Sequence, residues 1–215
     1  MNLKLAVMLC AVFCAGAYAA DAAMNALSEE ETKDGFVLLF DGKALTGWKP
    51  NESPDSFKVV DGKILAGGPR SHLYYMGEVA NHNFKNFEFR AKVLVHPASN
   101  SGIYVQAAWL DTGWPLAQGY ECQVCSQGYT DPRKTGSIYK FNDVKEAPVK
   151  DEEWFDYHII VKGDTIKTIV NGKTVAEFTE PADKKRLKGG TFAIQSHDPK
   201  SKVEYHTLRV KLLPE

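Results

Sequence analysis

The sequence predicts a single-domain, all-β protein folded as a jelly-roll sandwich, and three observations lead there. Short apolar segments recur through residues 35–215, each bounded by Gly, Pro, Asn or Asp. Two of those boundaries, Asp61-Gly62 and Asn171-Gly172, are dipeptides that two-residue hairpins favour, because both central residues take positive φ. Helical periodicity is nearly absent, and only residues 181–188 could hold a helical turn. Many short strands with tight turns make a sandwich or a barrel. The longer strands can curve into a groove, which selects the jelly roll.

Taken in order, residues 36–40 form an apolar strand that ends at Asp41-Gly42. Residues 57–60 and 64–66 flank Asp61-Gly62 as a hairpin. Residues 86–96 give the clearest strand. There Phe87, Phe89, Ala91, Val93 and Val95 alternate with Glu88, Arg90 and Lys92, so one face is buried. Pro97 has no N–H for a ladder and stops it. Residues 103–109, 120–125 and 137–141 read as short strands, followed by 155–162 and 165–170 around Gly163-Asp164. Asn171-Gly172 turns the chain into 173–178, and 191–197 and 203–213 close the domain.

The N-terminus bounds the compartment. Met1-Asn2-Leu3-Lys4 carries one positive charge, residues 5–13 are apolar, and Ala17-Tyr18-Ala19 offers a small-x-small cleavage pattern. The apolar run falls short of the roughly 20 residues a spanning helix needs. Residues 1–20 therefore read as a signal peptide cut near Ala19 or Ala20, with a periplasmic or secreted product and no integral membrane segment afterwards. Leu9 and Phe13 precede Cys10 and Cys14, where a small residue precedes a lipidated Cys, so a lipoprotein is disfavoured. Residues 21–34 are small and acidic and read as a flexible leader. The whole chain has net charge −1, and losing Lys4 takes it to −2. Such a mixed, near-neutral surface excludes nucleic acid as a partner.

Cys122 and Cys125 remain after cleavage. Their C-x-x-C spacing lies on a strand, where residues three apart point to opposite faces. No second Cys pair or nearby His completes a zinc shell, and no helix follows as in a redox motif. They read as small apolar fillers, with a strained disulfide as the alternative in an oxidising compartment.

Alternation also separates a polar set on several central strands. Ile103, Val105, Ala107, Cys122, Val124, Phe192 and Ile194 point inward. Tyr104, Gln106, Glu121, Gln123, Gln195 and His197 then share the opposite face, if those strands are neighbours. Such a field suits a sugar, whose hydroxyls pair with amides and carboxylates, with Trp109, Trp114 and Tyr120 as stacking surfaces. An acid and a His on one face can share proton transfer. The plain alternative is the solvated face of an ordinary antiparallel sheet. Retaining glycosidases need two carboxylates about 5–5.5 Å apart, yet Glu121 is followed on its strand by Gln123 and Cys125. No Gly-x-Ser-x-Gly elbow, P-loop or dinucleotide fingerprint occurs.

The motifs resemble those of the bacterial 3-keto-disaccharide hydrolases. Phe40-Asp41-Gly42-Lys43 with Leu45, Gly47 and Trp48 is similar to the family's opening signature. Asn100-Ser101-Gly102-Ile103-Tyr104, Gly119-Tyr120-Glu121 with Gln123, and Thr135-Gly136-Ser137-Ile138-Tyr139 follow in the family's order. So do Trp154-Phe155-Asp156-Tyr157, Val170-Asn171-Gly172-Lys173, Ile194-Gln195-Ser196-His197-Asp198 and the strand from Val203. The resemblance covers Gly35 to about Leu213, and Cys at 122 and 125 departs from it.

The resemblance implies a concanavalin-like jelly roll and a glycoside already oxidised at C3 by a separate sugar 3-dehydrogenase. The ketone acidifies C2–H, the C1 aglycone leaves by β-elimination, and water adds to the enone. This chemistry needs a base, an acid and a group polarising the ketone, but no paired carboxylates. The resemblance assigns Glu121 and His197 as the acid/base or metal-binding pair, and Asn100, Tyr104, Gln106, Gln123, Tyr139 and Gln195 as substrate contacts. A divalent cation held by Glu and His is the alternative way to polarise the ketone. His72, beside Arg70 in an expected loop, reads as a surface residue or a further site residue. A non-catalytic carbohydrate-binding module on the same fold is the competing function.

Overall fold

The structure is a computed structural model that describes residues 23–215, so the expected signal peptide with Cys10 and Cys14 lies outside the described residues. Its strands are β1 (Val37–Leu38), β2 (Trp48–Pro50), β3 (Phe57–Val60), β4 (Lys63–Ala66), β5 (Ser71–Tyr75), β6 (Phe87–Val95) and β7 (Asn100–Ala107). They continue as β8 (Tyr120–Cys125), β9 (Phe155–Lys162), β10 (Thr165–Val170), β11 (Lys173–Thr179), β12 (Thr191–Ser196) and β13 (Val203–Leu212). The larger sheet has the order β11-β10-β9-β6-β13-β4-β3, with β1 also on β13. The smaller has the order β2-β5-β12-β7-β8. All pairings are antiparallel.

Both hairpin dipeptides behave as their chemistry dictates. Val60 faces Lys63 across Asp61 (φ 49°) and Gly62 (φ 76°), and Val170 faces Lys173 across Asn171 (φ 48°) and Gly172 (φ 77°). On β6 the five apolar residues are buried and the intervening ones are half-buried. Their inward face meets the smaller sheet through an aromatic cluster. Phe192 on β12 lies 4.4 Å from Phe84, 5.0 Å from Phe87 and 4.7 Å from Phe89, centroid to centroid. Each such ring removes about 150–250 Å² from water, so this cluster contributes heavily to the adhesion between the sheets.

Two tyrosines of the larger sheet cross the core and bond the smaller one. Tyr205 Oη lies 2.6 Å from Ser101 Oγ, which itself donates to the Gln195 carbonyl. Tyr157 Oη donates to the Gln123 carbonyl at 3.1 Å. Both phenols are fully buried, so each hydroxyl needs the partner it has.

Some expectations are corrected. β2 and β5 are strands that the pattern does not announce. Residues 137–141 are not a strand; Ile138 alone makes isolated bridges, to Cys122 and Asn142. β1 holds only two residues, β7 starts at Asn100 and ends at Ala107, and residues 181–188 hold no helix. The segment preceding the domain carries more local structure than its composition suggests. Helix α1 (Glu29–Lys33) is closed by a Ser28/Glu31 capping box. Glu31 pairs with Arg209 at 2.5 Å, and Asn25 exchanges hydrogen bonds with the Thr207 backbone and hydroxyl and with the Gly62 carbonyl. Cys122 and Cys125 are both free and buried. Burial raises both thiols, Cys125 to about 12, so they are inert fillers rather than nucleophiles.

Candidate active site

Register on the smaller sheet brings most of the polar set together. On β5, β12, β7 and β8 the side chains of Leu73, Tyr75, Phe192, Ile194, Ile103, Val105, Cys122 and Val124 fill the core. Their neighbours therefore take the outer face. His72 pairs with Gln195, and Gly102 with Gln123, giving one row. Tyr74, Ala193, Tyr104 and Glu121 give the next. The connection between β7 and β8 roofs this face. Trp109 and Leu116 pack with Tyr74, Tyr104, Ala107 and Ala193 in a small separate apolar cluster. Trp109 lies 4.9 Å from the Tyr74 ring.

Beneath that roof runs a polar network. Gln195 Nε2 donates to Tyr104 Oη at 3.1 Å and lies 3.5 Å from His72 Nε2. The His72 ring stands edge-on to Tyr104 at 5.1 Å. The Tyr104 hydroxyl also lies close enough to the Glu121 carboxyl to lower its pKa. Gln123, with its amide nitrogen turned to Glu121, donates to Oε1 at 3.2 Å and to the Ser101 carbonyl at 2.8 Å. Four atoms of this patch are buried without a partner: His72 Nδ1, Tyr74 Oη, Glu121 Oε2 and Gln195 Oε1. Native proteins leave few such atoms, so a concentration of four makes this patch a candidate to receive a ligand's polar groups.

Burial sets the protonation states. It pushes the Glu121 carboxyl up to about 8, against hydrogen bonding from Tyr104; Asp131 adds to the rise, while Arg133 and Lys140 oppose it. Burial likewise holds His72 down to about 4, so this imidazole is neutral at pH 7. Tyr104 is raised well above its usual value by burial and by Glu121, and stays a donor.

His197 stands apart, just past the end of β12. Its Nδ1 bonds Asp198 Oδ2 at 2.9 Å and lies 3.2 Å from Tyr129 Oη. Trp114 and Tyr129 each stand edge-on to its ring at 5.6 Å. Asp198 also accepts from Tyr129 Oη at 3.0 Å and Ser201 Oγ at 2.8 Å. Burial alone would raise Asp198, but bonds from Ser201, His197, the Lys200 amide and Tyr129 bring it down to about 2. The partners of His197 are Asp198, Tyr129 and Trp114, none of which belongs to the network around Glu121.

Other expected site residues divide. Asn100 is buried on β7, its backbone N–H donating to Ser201 Oγ at 2.9 Å and its side chain toward Tyr129, so it belongs with His197. Tyr139 is half-buried beside β8, its N–H on the Glu121 carbonyl at 3.0 Å and its ring 4.4 Å from the Arg133 guanidinium. Gln106 does not join the field. It adopts φ 51°, where the β7–β12 register shifts, and ties the Lys85 carbonyl (2.6 Å) to the Gly189 N–H (2.8 Å). Tyr120 is no stacking surface for this face, because it points into the core and donates to Glu180 at 2.6 Å. His72 is not a surface residue but is fully buried within the field.

Tyr74, Tyr129, Asp198 and Arg186 are additions that the sequence pattern does not single out. Arg186 lines a cavity of about 160 Å³ with Glu121 and Tyr139. A cleft of about 630 Å³ lies elsewhere, on the outer face of the larger sheet between α1 and Trp154. Among the described residues no three His, Cys, Asp or Glu side chains gather into a metal-binding group. The acid and the histidine expected to share a cation keep separate partners, Gln123 for Glu121 and Asp198 for His197.

Comparison with known proteins places this site in context. The profile of the 3-keto-alpha-glucoside-1,2-lyase-like domain matches residues 35–211. A 3-keto-disaccharide hydrolase of Bacteroides thetaiotaomicron is 31% identical over 93 residues, which are 40% of this chain and 32% of that protein. The matched stretch thus spans about a third of that relative. A crystal structure from Parabacteroides distasonis, provisionally described as a glycosyl hydrolase, is 25% identical with TM-score 0.75, covering 89% of this chain and 100% of that one. The carbohydrate-binding module CBM66 from Bacillus subtilis shares the fold alone, at 9% identity and TM-score 0.57, covering 77% of this chain and 95% of that one.

Proposed function

Because this chain belongs to the 3-keto-alpha-glucoside-1,2-lyase-like domain family, we propose that it cleaves 3-keto-glucosides or 3-keto-disaccharides by elimination and hydration. The observation that carries the reading is Glu121, a carboxyl 4% exposed, with Oε2 unpartnered and its pKa raised to about 8. A base poised near neutrality is what C2–H of a 3-ketoside requires, since the neighbouring ketone already acidifies that proton.

In this reading Glu121 takes the C2 proton. His197, oriented by Asp198, serves the leaving C1 oxygen, and the unpartnered atoms of Gln195, His72 and Tyr74 take up sugar hydroxyls. Trp109 and Trp114 exclude water from the face. The substrate presupposes a sugar 3-dehydrogenase acting first, and the apolar N-terminal run supports a periplasmic or secreted site of action.

The test incubates the purified protein with a 3-keto-glucoside carrying a chromogenic aglycone and with its unoxidised parent. Release from the keto compound alone, lost in Glu121→Gln, is the expected result. Binding of the parent sugar with no release from either compound would overturn it in favour of a carbohydrate-binding module.

A further inference from the structure

The proposed elimination needs a donor for the ketone oxygen as that oxygen gathers charge, and the resemblance names no side chain for that part. The cavity beside Glu121 does. Its volume of about 160 Å³ is on the order of five water molecules' share of the liquid, a space on the scale of one sugar ring. Leu116, Tyr120, Tyr139 and Phe141 give it apolar walls; Glu121, Lys140 and Arg186 give it a polar side.

Arg186 is held firmly there. Its guanidinium lies 4.8 Å from the Tyr120 ring and 5.2 Å from Phe141. A terminal nitrogen donates to the Leu116 carbonyl, and the backbone N–H donates to Glu180 Oε1 at 2.6 Å. Nε is left buried with no acceptor. Glu121, lining the same cavity, is left with Oε2 unpartnered. Arg186 and Glu121 thus line one cavity, and each keeps a buried polar atom without a partner, a cationic N–H on one and a carboxyl oxygen on the other, the two polarities that enolisation of a ketone needs. Lys140 is a weaker candidate, because its side chain is exposed with the ammonium 5.3 Å over Tyr139.

We propose that this cavity receives the oxidised sugar ring, with the C3 carbonyl oxygen on the Arg186 guanidinium and C2–H toward Glu121. The assignment rests on the ketone-dependent reading above. Glu121 removes the C2 proton, the C–H pair becomes the C2=C3 bond, and the carbonyl π pair moves onto O3. Arg186 stabilises that enediolate oxygen. The pair then returns: C3=O re-forms, C1=C2 forms, the C1–O bond breaks, and the leaving oxygen takes up a proton. Arg186 is in this sense a catalytic residue, acting on charge present only after proton abstraction.

The experiment isolates enolisation from cleavage. A 3-keto-1,5-anhydroglucitol has hydrogen in place of the aglycone, so in D2O exchange of its C2 proton, which NMR resolves, is read without aglycone release. Wild type is expected to exchange and Glu121→Gln to lose exchange. Arg186→Lys, which keeps the charge but not the Nε donor, should slow it by about 10²-fold or more with little change in ligand affinity. Arg186→Ala should be slower still and regain rate with millimolar guanidinium. Exchange at the wild-type rate in both variants would overturn the assignment. So would a loss that guanidinium does not restore and that matches a fall in melting temperature. If wild type neither exchanges the anhydro sugar nor releases an aglycone, it is the proposed function that fails, a result separable from either of these.

Discussion

The Glu121 carboxylate lies across the bare backbone of Gly102 on the neighbouring strand. A Cβ built on Gly102 would stand 2.6 Å from Glu121 Oε1 and 2.9 Å from its Cγ. Gly102 is therefore the notch that lets a buried acid lie along the sheet and reach Tyr104 and Gln123. Its backbone is ordinary strand, so the requirement is for space and not for unusual dihedrals.

Gly102→Ala tests that notch. The methyl group must push the carboxylate off Gln123, so kcat/KM on a 3-keto-glucoside is expected to fall by about 10-fold or more while the protein remains folded. Steady-state kinetics with circular dichroism checks it, and unchanged kinetics would show that the carboxylate's place does not matter.

Glu121→Gln should trade activity against stability. Folding raises the carboxyl from its ordinary value near 4.5 to about 8. The folded state thus keeps a proton that the unfolded chain gives up, and stability is lost as pH rises between those values. Glutamine carries no such proton. Its turnover should fall by about 10²–10⁴-fold. Denaturant melts should find the variant near wild type at pH 4 and more stable at pH 9, by an amount on the order of a few kcal/mol.

The rate should follow the same group. If Glu121 must be ionised to take the C2 proton, kcat/KM for the wild type rises through an apparent pKa near 8. A profile flat from pH 6 to pH 9 would remove Glu121 as the base.

Asp198→Asn should release His197. Asp198 is held down to about 2 on folding, so its contribution to stability is present above pH 4 and is lost as pH falls toward 2. The variant is expected to be less stable at pH 6, with the gap closing in acid. If His197 serves the leaving oxygen, the variant should also lose about 10²-fold in turnover, less for aglycones that leave easily. A uniform loss across good and poor leaving groups would count against that role.

Asn25→Ala should separate stability from catalysis. It removes bonds to the Thr207 N–H and the Gly62 carbonyl on the larger sheet, leaving a buried donor unpaired. A loss of about 1–3 kcal/mol in urea melts is expected. Turnover should match wild type, because the candidate site lies on the other sheet.

Strands with one wet face were legible in the sequence: on β6 and β9 buried and less buried residues alternate along the whole element. β5 was not, because Ser71, His72, Leu73, Tyr74 and Tyr75 are all buried and the roofed outer face is filled by polar and aromatic side chains. Alternation vanishes when both faces leave the water, and His72 was lost to a supposed loop for that reason. Gln106 fails differently: a local register shift at positive φ turns it from the face that counting assigns it. Glu121, Tyr104, Gln123 and Gln195 were legible even though β7, β8 and β12 are also buried on both faces, because polar and apolar residue types still alternate in the sequence where these four sit. Tyr129, Asp198 and Arg186 sit off the strands, in turns and loops where no periodicity says which way a side chain points.

The two phenols that cross the core have a consequence for the site above them. Tyr157 meets the carbonyl of Gln123, and Tyr205, through Ser101, the carbonyl of Gln195; both carbonyls belong to residues of the polar network. A phenol cannot stretch or compress, so the pair acts as fixed spacers that gauge the thickness of the sandwich where proton transfer is proposed. Apolar core residues elsewhere can drift in size with local repacking. These two positions cannot, because a shorter or longer side chain would tilt the floor on which Gln123, Gln195 and Glu121 are aligned.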